Sequence, residues 1–330
     1  MRLQAINRVK AELSSAIQGL PSGDISAQVR DKFEVRIRES AKRTMMRGAA
    51  SFILQLSQSH VRSRCKTEIM IPHDFLAIGE RFSDDASLHE LLSRMKRKPP
   101  RRVLIVGCYI GGDDVQFWLR RRVSKLDGID IYSLANRWGQ VVPKLQRAFK
   151  TEIQFQQASI EAIPFEGEIF DCVATNAVLE HVRNLGAAIG ETARVLRRDG
   201  WAWHSFGPLY FSFGADHCIS AYGPSAGYDH LLLDDEEYQE RIRNQEFFNR
   251  LADPNLPFWA LNNQFSFATA EEYLEHFSRH FEILHVILKI SPDALDFRQH
   301  YPQKWATLVR SGIAEHDLLI KSMAVVLRKK

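Results

Sequence analysis

Apolar residues recur with two different periods along this chain, and the change falls near residue 102. Leu3, Ile6, Val9, Leu13, Ile17 and Leu20 are spaced by three or four, which predicts one amphipathic helix. Pro21-Ser22-Gly23 ends it. Further helices are expected over 27–58 and 87–96, with Ile71-Pro72 a break between them. Pro99-Pro100 then forbids helix and favours extended chain. Residues 1–100 therefore read as a helical N-terminal region, a lid or an interaction module, with a homodimer contact among its expected roles.

Beyond Arg102 the runs shorten. Val103-Leu104-Ile105-Val106 is wholly apolar and ends in Gly107, as a strand covered on both faces would. Strands are also expected at 126–132, 153–157, 170–175 and 201–206, with helices at 112–123, 137–149 and 185–197 between them. This alternation predicts right-handed βαβ units: an α/β, doubly wound, Rossmann-like sheet. After Gly207 the pattern lapses for about sixty residues rich in glycine, aromatic and acidic side chains, and loop-rich insertions of that length are usually functional. Thr269 and Glu272 have capping-box spacing and open a helix through His280. Two late strands are expected at 281–290 and 318–327, with short helical pieces between them.

Composition narrows the classes. The 330 residues are 45% hydrophobic and 25% charged, average for a globular chain. No apolar run reaches membrane-spanning length, and residues 1–20 lack a signal-peptide core. Cys65, Cys108, Cys172 and Cys218 are far apart and form no CxxC, which points to a reducing, cytoplasmic setting. Net charge is +4, but residues 1–102 hold 20 Lys+Arg against 11 Asp+Glu. The basic residues are interleaved with acids, as on a solvated helical face. A P-loop and a GxSxG elbow are both absent, which disfavours a nucleotide-triphosphate or serine-hydrolase reading.

The chemistry starts at the first strand. Gly107-Cys108-Tyr109-Ile110-Gly111-Gly112 joins it to a helix start, where backbone can approach a ligand closely. The dinucleotide fingerprint wants glycine at 109, where Tyr109 stands, so a diphosphate cofactor is disfavoured. Asp130 follows the next strand, about twenty residues on, where a carboxylate can accept from ribose hydroxyls. Together they argue for a nucleoside-bearing cofactor.

Four further stretches share this order: Ala162-Ile163-Pro164-Phe165, Ile169-Phe170-Asp171-Cys172-Val173, Asn176-Ala177-Val178-Leu179-Glu180-His181-Val182 and Ala193-Arg194-Val195-Leu196-Arg197-Arg198-Asp199-Gly200. With them, residues 102–206 resemble the class I S-adenosylmethionine-dependent methyltransferases of the small-molecule type. The resemblance implies a seven-stranded sheet with an antiparallel last strand, a domain over 101–330, and a substrate-recognition insertion at 207–268. It also implies S-adenosyl-L-methionine as cofactor, with Gly107, Cys108, Tyr109 and Gly111 beside its methionine and ribose. Asp130 would hold the ribose hydroxyls, Ile131, Ser159 and Ile160 would face adenine, and Asn176 would lie near the sulfonium. Tyr109 and Ser159 depart from the usual Gly and Asp.

A hydroxyl acceptor would want a base near neutrality, and histidine is the natural candidate. His217 is the first choice, with His181 and His230 beside it; His181 and His204 also read as structural histidines. His276 and His280 share a helical face but lack a third ligand, so no metal is expected. The exit Asn176-Ala177-Val178 is not the Pro-Pro-aromatic run used on planar nitrogens. The expected acceptor is a small molecule or glycan-like compound. Three alternatives stay open: a non-catalytic methyltransferase-like binding or scaffold protein, an RNA methyltransferase, and a nicotinamide oxidoreductase. Nucleic acid is disfavoured by the acidic, aromatic insertion.

Overall fold

The computed structural model describes residues 68–71, 100–217, 222–243 and 264–330. One sheet organises them. Its strands are β1 (Glu68–Ile71), β2 (Arg102–Val106), β3 (Lys125–Asp130), β4 (Glu152–Gln157), β5 (Phe170–Asn176), β6 (Leu196–Phe206), β7 (Phe281–Ile290) and β8 (Ile320–Lys329). Their spatial order is β1-β7-β8-β6-β5-β2-β3-β4. Strands β2 to β6 pair in parallel, whereas β8 runs antiparallel to both β6 and β7. The seven expected strands are thus all present, with the last antiparallel.

An eighth strand was not expected. Residues 68–71 pair with β7 as an antiparallel edge, inside the stretch read as helical. The segment Glu-Ile-Met-Ile is β-favouring and stops before Pro72, a residue confined to sheet edges. The other expectations about residues 1–99 lie outside the described residues. Among the described residues, no helix is long and apolar enough to cross a membrane.

The sheet is buried on both faces because its strands alternate between two apolar layers. Val103 and Ile105 join Trp118, Trp138 and Trp201 on one side. Leu104 and Val106 join Val173, Ile189, Tyr273 and Phe277 on the other. The helices of the first layer are α1 (Asp113–Arg120) and α2 (Ala135–Phe149). The second layer has α3 (Leu185–Val195), opened by Asn184 accepting from the Ala187 N–H. The smaller helices α4 (Asp229–Leu232) and α5 (Asp235–Arg243) follow. They lie within the insertion, so its described part is more helical than its composition suggested. Helix α6 (Ala270–His280) starts on the expected capping box, formed in full by Thr269 and Glu272. Helices α7 (Pro292–His300), α8 (Pro302–Arg310) and α9 (Glu315–Leu319) fill the return to β8, so Leu318 lies in a helix and the strand opens two residues later, at Ile320.

Candidate functional site

Strand β2 lies between β3 and β5, and the crossovers leave it in opposite directions. A crevice therefore opens beyond its carboxyl end, where ligands of open α/β sheets bind. The turn after β2 occupies this place. Gly107 and Gly111 hold φ of +76° and +79°, and Tyr109 sits between them at +41°. A Cβ on Gly107 would lie 2.5 Å from Val178 Cγ2, so close packing as well as backbone shape demands glycine there.

The turn is fastened to the end of β3. The N–H groups of Gly107 and Cys108 both donate to the Ile129 carbonyl, at 2.8 and 3.1 Å. Asp130, 6% exposed, accepts the Tyr109 N–H at 2.9 Å on one oxygen and the Tyr132 N–H at 3.0 Å on the other. Cys108 is sunk into the first apolar layer, where burial and then Asp130 push its thiol well up. Trp138 Nε1 donates to the Tyr109 carbonyl at 2.5 Å, and the Tyr109 hydroxyl lies 3.4 Å from Arg137. The ring of Tyr109 therefore leans outward over α2 and is 44% exposed. Tyr109 thus takes a left-handed backbone conformation, and its hydroxyl reaches Arg137 on α2.

The remaining expected cofactor residues lie around this turn in different settings. Ile131 is 55% exposed, unusually open for an isoleucine, and Gln157 donates to its carbonyl. Ser159 accepts from the Glu161 N–H at 3.1 Å, while Ile160 is buried in the core. Asn176 is exposed at the end of β5 and donates to the Asp114 carboxylate at the head of α1.

Two of the histidines meet just after β5. His181 ends the 3-10 turn Leu179–His181, and its ring centroid lies 5.6 Å from that of His217. His181 Nδ1–H donates to the Gln264 carbonyl, which can only accept, so Nε2 carries the lone pair. Burial lowers its pKa. Burial, and then His181, lower His217 to about 4, against a smaller opposing pull from Asp216. Both rings are therefore neutral near pH 7. His230 is placed differently. Its Nε2–H goes to the Tyr210 carbonyl, and its ring stacks on Tyr228. His204 bonds Thr175 inside the sheet and stacks on Phe277.

Sequence reading missed the wall around this pair. Tyr210, Phe265 and Phe267 stand 4.5 to 6.1 Å apart, and Phe265 also packs on His181. Glu180, buried beside His181, was also missed. The aromatic richness of the insertion was the available signal, but not which rings would meet.

A protein-family model described as a methyltransferase domain matches residues 104–203. The chain is 31% identical over 128 residues to the sterol 24-C-methyltransferase of Schizosaccharomyces pombe, a match covering 37% of this chain and 32% of that protein. It is 31% identical over 106 residues to a ubiquinone biosynthesis O-methyltransferase of Paracidovorax citrulli, covering 32% of this chain and 43% of that one. The matches thus span less than half of either relative. A solved structure from Galdieria sulphuraria, with a proposed sarcosine dimethylglycine methyltransferase activity, is 15% identical over 74% of this chain and 85% of its own, with a TM-score of 0.46.

Proposed function

We propose that residues 104–203, which match a methyltransferase-domain model, form a catalytically active class I S-adenosylmethionine-dependent methyltransferase, and that its acceptor is a small molecule with an apolar body and a hydroxyl group. The observation that carries this reading is the turn after β2, held by the Asp130 carboxylate at the switch point of the sheet.

The residues present fit the cofactor. Gly107 and Gly111 keep the turn close against Val178 and Leu145, and the Tyr109 hydroxyl is drawn toward Arg137 on α2. Asp130 retains a lone pair on each oxygen after its two backbone bonds, enough to accept from a ribose diol. Exposed Ile131 offers an apolar face to a base. When bound, S-adenosylmethionine supplies an electrophilic methyl group, and the protein supplies position and electrostatics. Asn176, steadied by Asp114, marks the end of β5 where acceptor and donor would be aligned; alignment can account for most of the rate of a displacement.

On the acceptor side, His217 with His181 would take the hydroxyl proton, His217 as a weaker base than the near-neutral one expected, since its pKa is lowered to about 4. Both are neutral near pH 7, and His181 presents the Nε2 lone pair. Tyr210, Phe265 and Phe267 would receive the apolar body. This agrees with the two curated relatives, whose names refer to a sterol and to ubiquinone biosynthesis. His230 would support the wall through Tyr210 rather than take a proton.

One observation favours a second reading. Tyr109, where the family has glycine, suits a non-catalytic binding protein. Calorimetry with S-adenosylhomocysteine separates the two. Micromolar binding, with transfer of labelled methyl to a panel of phenols and apolar alcohols, supports the enzyme. An absence of binding at millimolar ligand rejects it.

A further inference from the structure

The 3-10 turn Leu179–His181 touches both ends of the segment that carries the aromatic wall. The Glu180 side chain accepts the Gly207 N–H at 3.0 Å through Oε1, at the point where the chain leaves β6. Its own carbonyl accepts the Ser266 N–H at 2.9 Å, where the chain comes back. His181 holds Gln264 two residues away, and Leu179 accepts from the Tyr273 hydroxyl, which also bonds Ser266. Gly207 cannot easily be repositioned. Its φ is +140°, and a Cβ there would lie 2.6 Å from Ser322 Cβ and 2.7 Å from the Lys321 carbonyl.

We infer that Glu180 is a positioning residue for the acceptor site: its carboxyl group holds the outgoing end of the insertion while its backbone holds the returning end, which fixes Tyr210 and Phe265 over the His181–His217 pair. This rests on the methyl-transfer reading only for the meaning of "acceptor"; the clamp itself is a property of the fold. Three observations support it. Glu180 is 1% exposed, so its side chain is fixed. Oε2 is buried with no hydrogen-bond partner, so the carboxyl group makes no bond that competes with the one to Gly207. Burial also raises its pKa to about 8, which makes the neutral acid the resident form. Tyr273 is the titratable group whose own ionisation Glu180 opposes, and it stays protonated throughout this range.

The neutral form predicts which substitution is tolerated. Glu180→Gln keeps an oxygen acceptor for Gly207 and carries no charge, whereas Glu180→Ala removes the acceptor. Hydrogen exchange by mass spectrometry on the full chain reads the amides of 207–213 and 264–268, corrected for intrinsic rates. Glu180→Ala, which loses the carboxyl group and keeps the backbone carbonyl, should speed 207–213 at least tenfold and 264–268 less, while leaving β2 to β5 unchanged, and Glu180→Gln should stay within about threefold of wild type. If Glu180→Ala does not fold, the pH dependence decides: wild-type protection should fall as pH rises from about 4.5 to about 8 and level off above, because the opened chain gives up this proton first, and that of Glu180→Gln should not. Unchanged exchange in Glu180→Ala, a Gln variant as loose as Ala, or equal pH profiles would each overturn the inference. S-adenosylhomocysteine binding is measured in parallel. Its absence from wild type defeats the methyl-transfer reading and leaves the clamp to be judged by exchange alone.

Discussion

The two halves of the site are built by opposite rules. On the proposed cofactor side, the residues come from one turn and the ends of the adjoining strands, Gly107 to Asn176, and every link between them, whether through the backbone or through the Asp130 carboxylate, joins ends of neighbouring elements set by sheet register. On the proposed acceptor side, residues 181, 217 and 264–267 are brought together by a long excursion from the sheet and meet largely through side chains. A cofactor shared by many reactions calls for a cradle that order and spacing can specify. An acceptor calls for a wall that can be re-lined without disturbing the sheet.

The sharpest way to break this comparison is to change one half and watch the other. His217→Ala should lower methyl transfer by about 10²- to 10⁴-fold, the usual worth of a general base, and leave S-adenosylhomocysteine affinity untouched. Turnover and calorimetry on the same preparation check it, and a matched loss of affinity would mean the halves are not separate. Asp130→Ala should do the reverse, weakening cofactor affinity by about 1–3 kcal/mol, because a charged acceptor of hydrogen bonds is lost. Unchanged binding would place the ribose elsewhere. Gly107→Ala should destabilise the fold by about 1–3 kcal/mol, since its Cβ meets Val178 in a strained backbone conformation. A denaturant titration reads that effect, and the histidine pair should be unaffected.

The pH dependence sharpens the acceptor half. His217 is lowered to about 4 in the fold, so the base is lost only as pH falls through that value. The acid limb of kcat/KM should lie near pH 4–5 rather than near the ordinary histidine value of about 6.5. The unfolded chain binds this proton first, so burial of His217 also lowers stability as pH falls from about 6.5 to 4. The smallest effect is expected from Tyr109→Gly. The left-handed residue is relieved by about 1 kcal/mol, offset by the freer unfolded chain, so affinity should stay within about threefold of wild type. A large gain would show that the ring obstructs the crevice after all.

Legibility in the sequence followed the same division. The run Val103–Val106, the glycine turn and Asp130 are local signals, each within one strand or one turn, and they led to the alternating α/β sheet and to the place of the turn in it. The capping box at Thr269 was legible for the same reason. The edge strand Glu68–Ile71 was not, because four residues carry too little pattern to oppose a helical background, and its pairing with β7 spans more than two hundred residues. The meeting of His181 with His217 was likewise hidden. The two lie thirty-six residues apart, and no local pattern joins them. Glu180 looked like an ordinary charged residue until its burial and its bond to Gly207 were seen.

The buried thiol inside the turn gives the cradle its own chemical clock. Cys108 is 2% exposed and packed into the first apolar layer, so an alkylating reagent can reach it only while the glycine turn is lifted from β3. The thiolate is further suppressed by burial and by the Asp130 charge, which makes modification slow enough to time. The rate at which residue 108 acquires an adduct, located by mass spectrometry, therefore counts openings of the crevice directly, and a ligand that seals the turn should lengthen that interval.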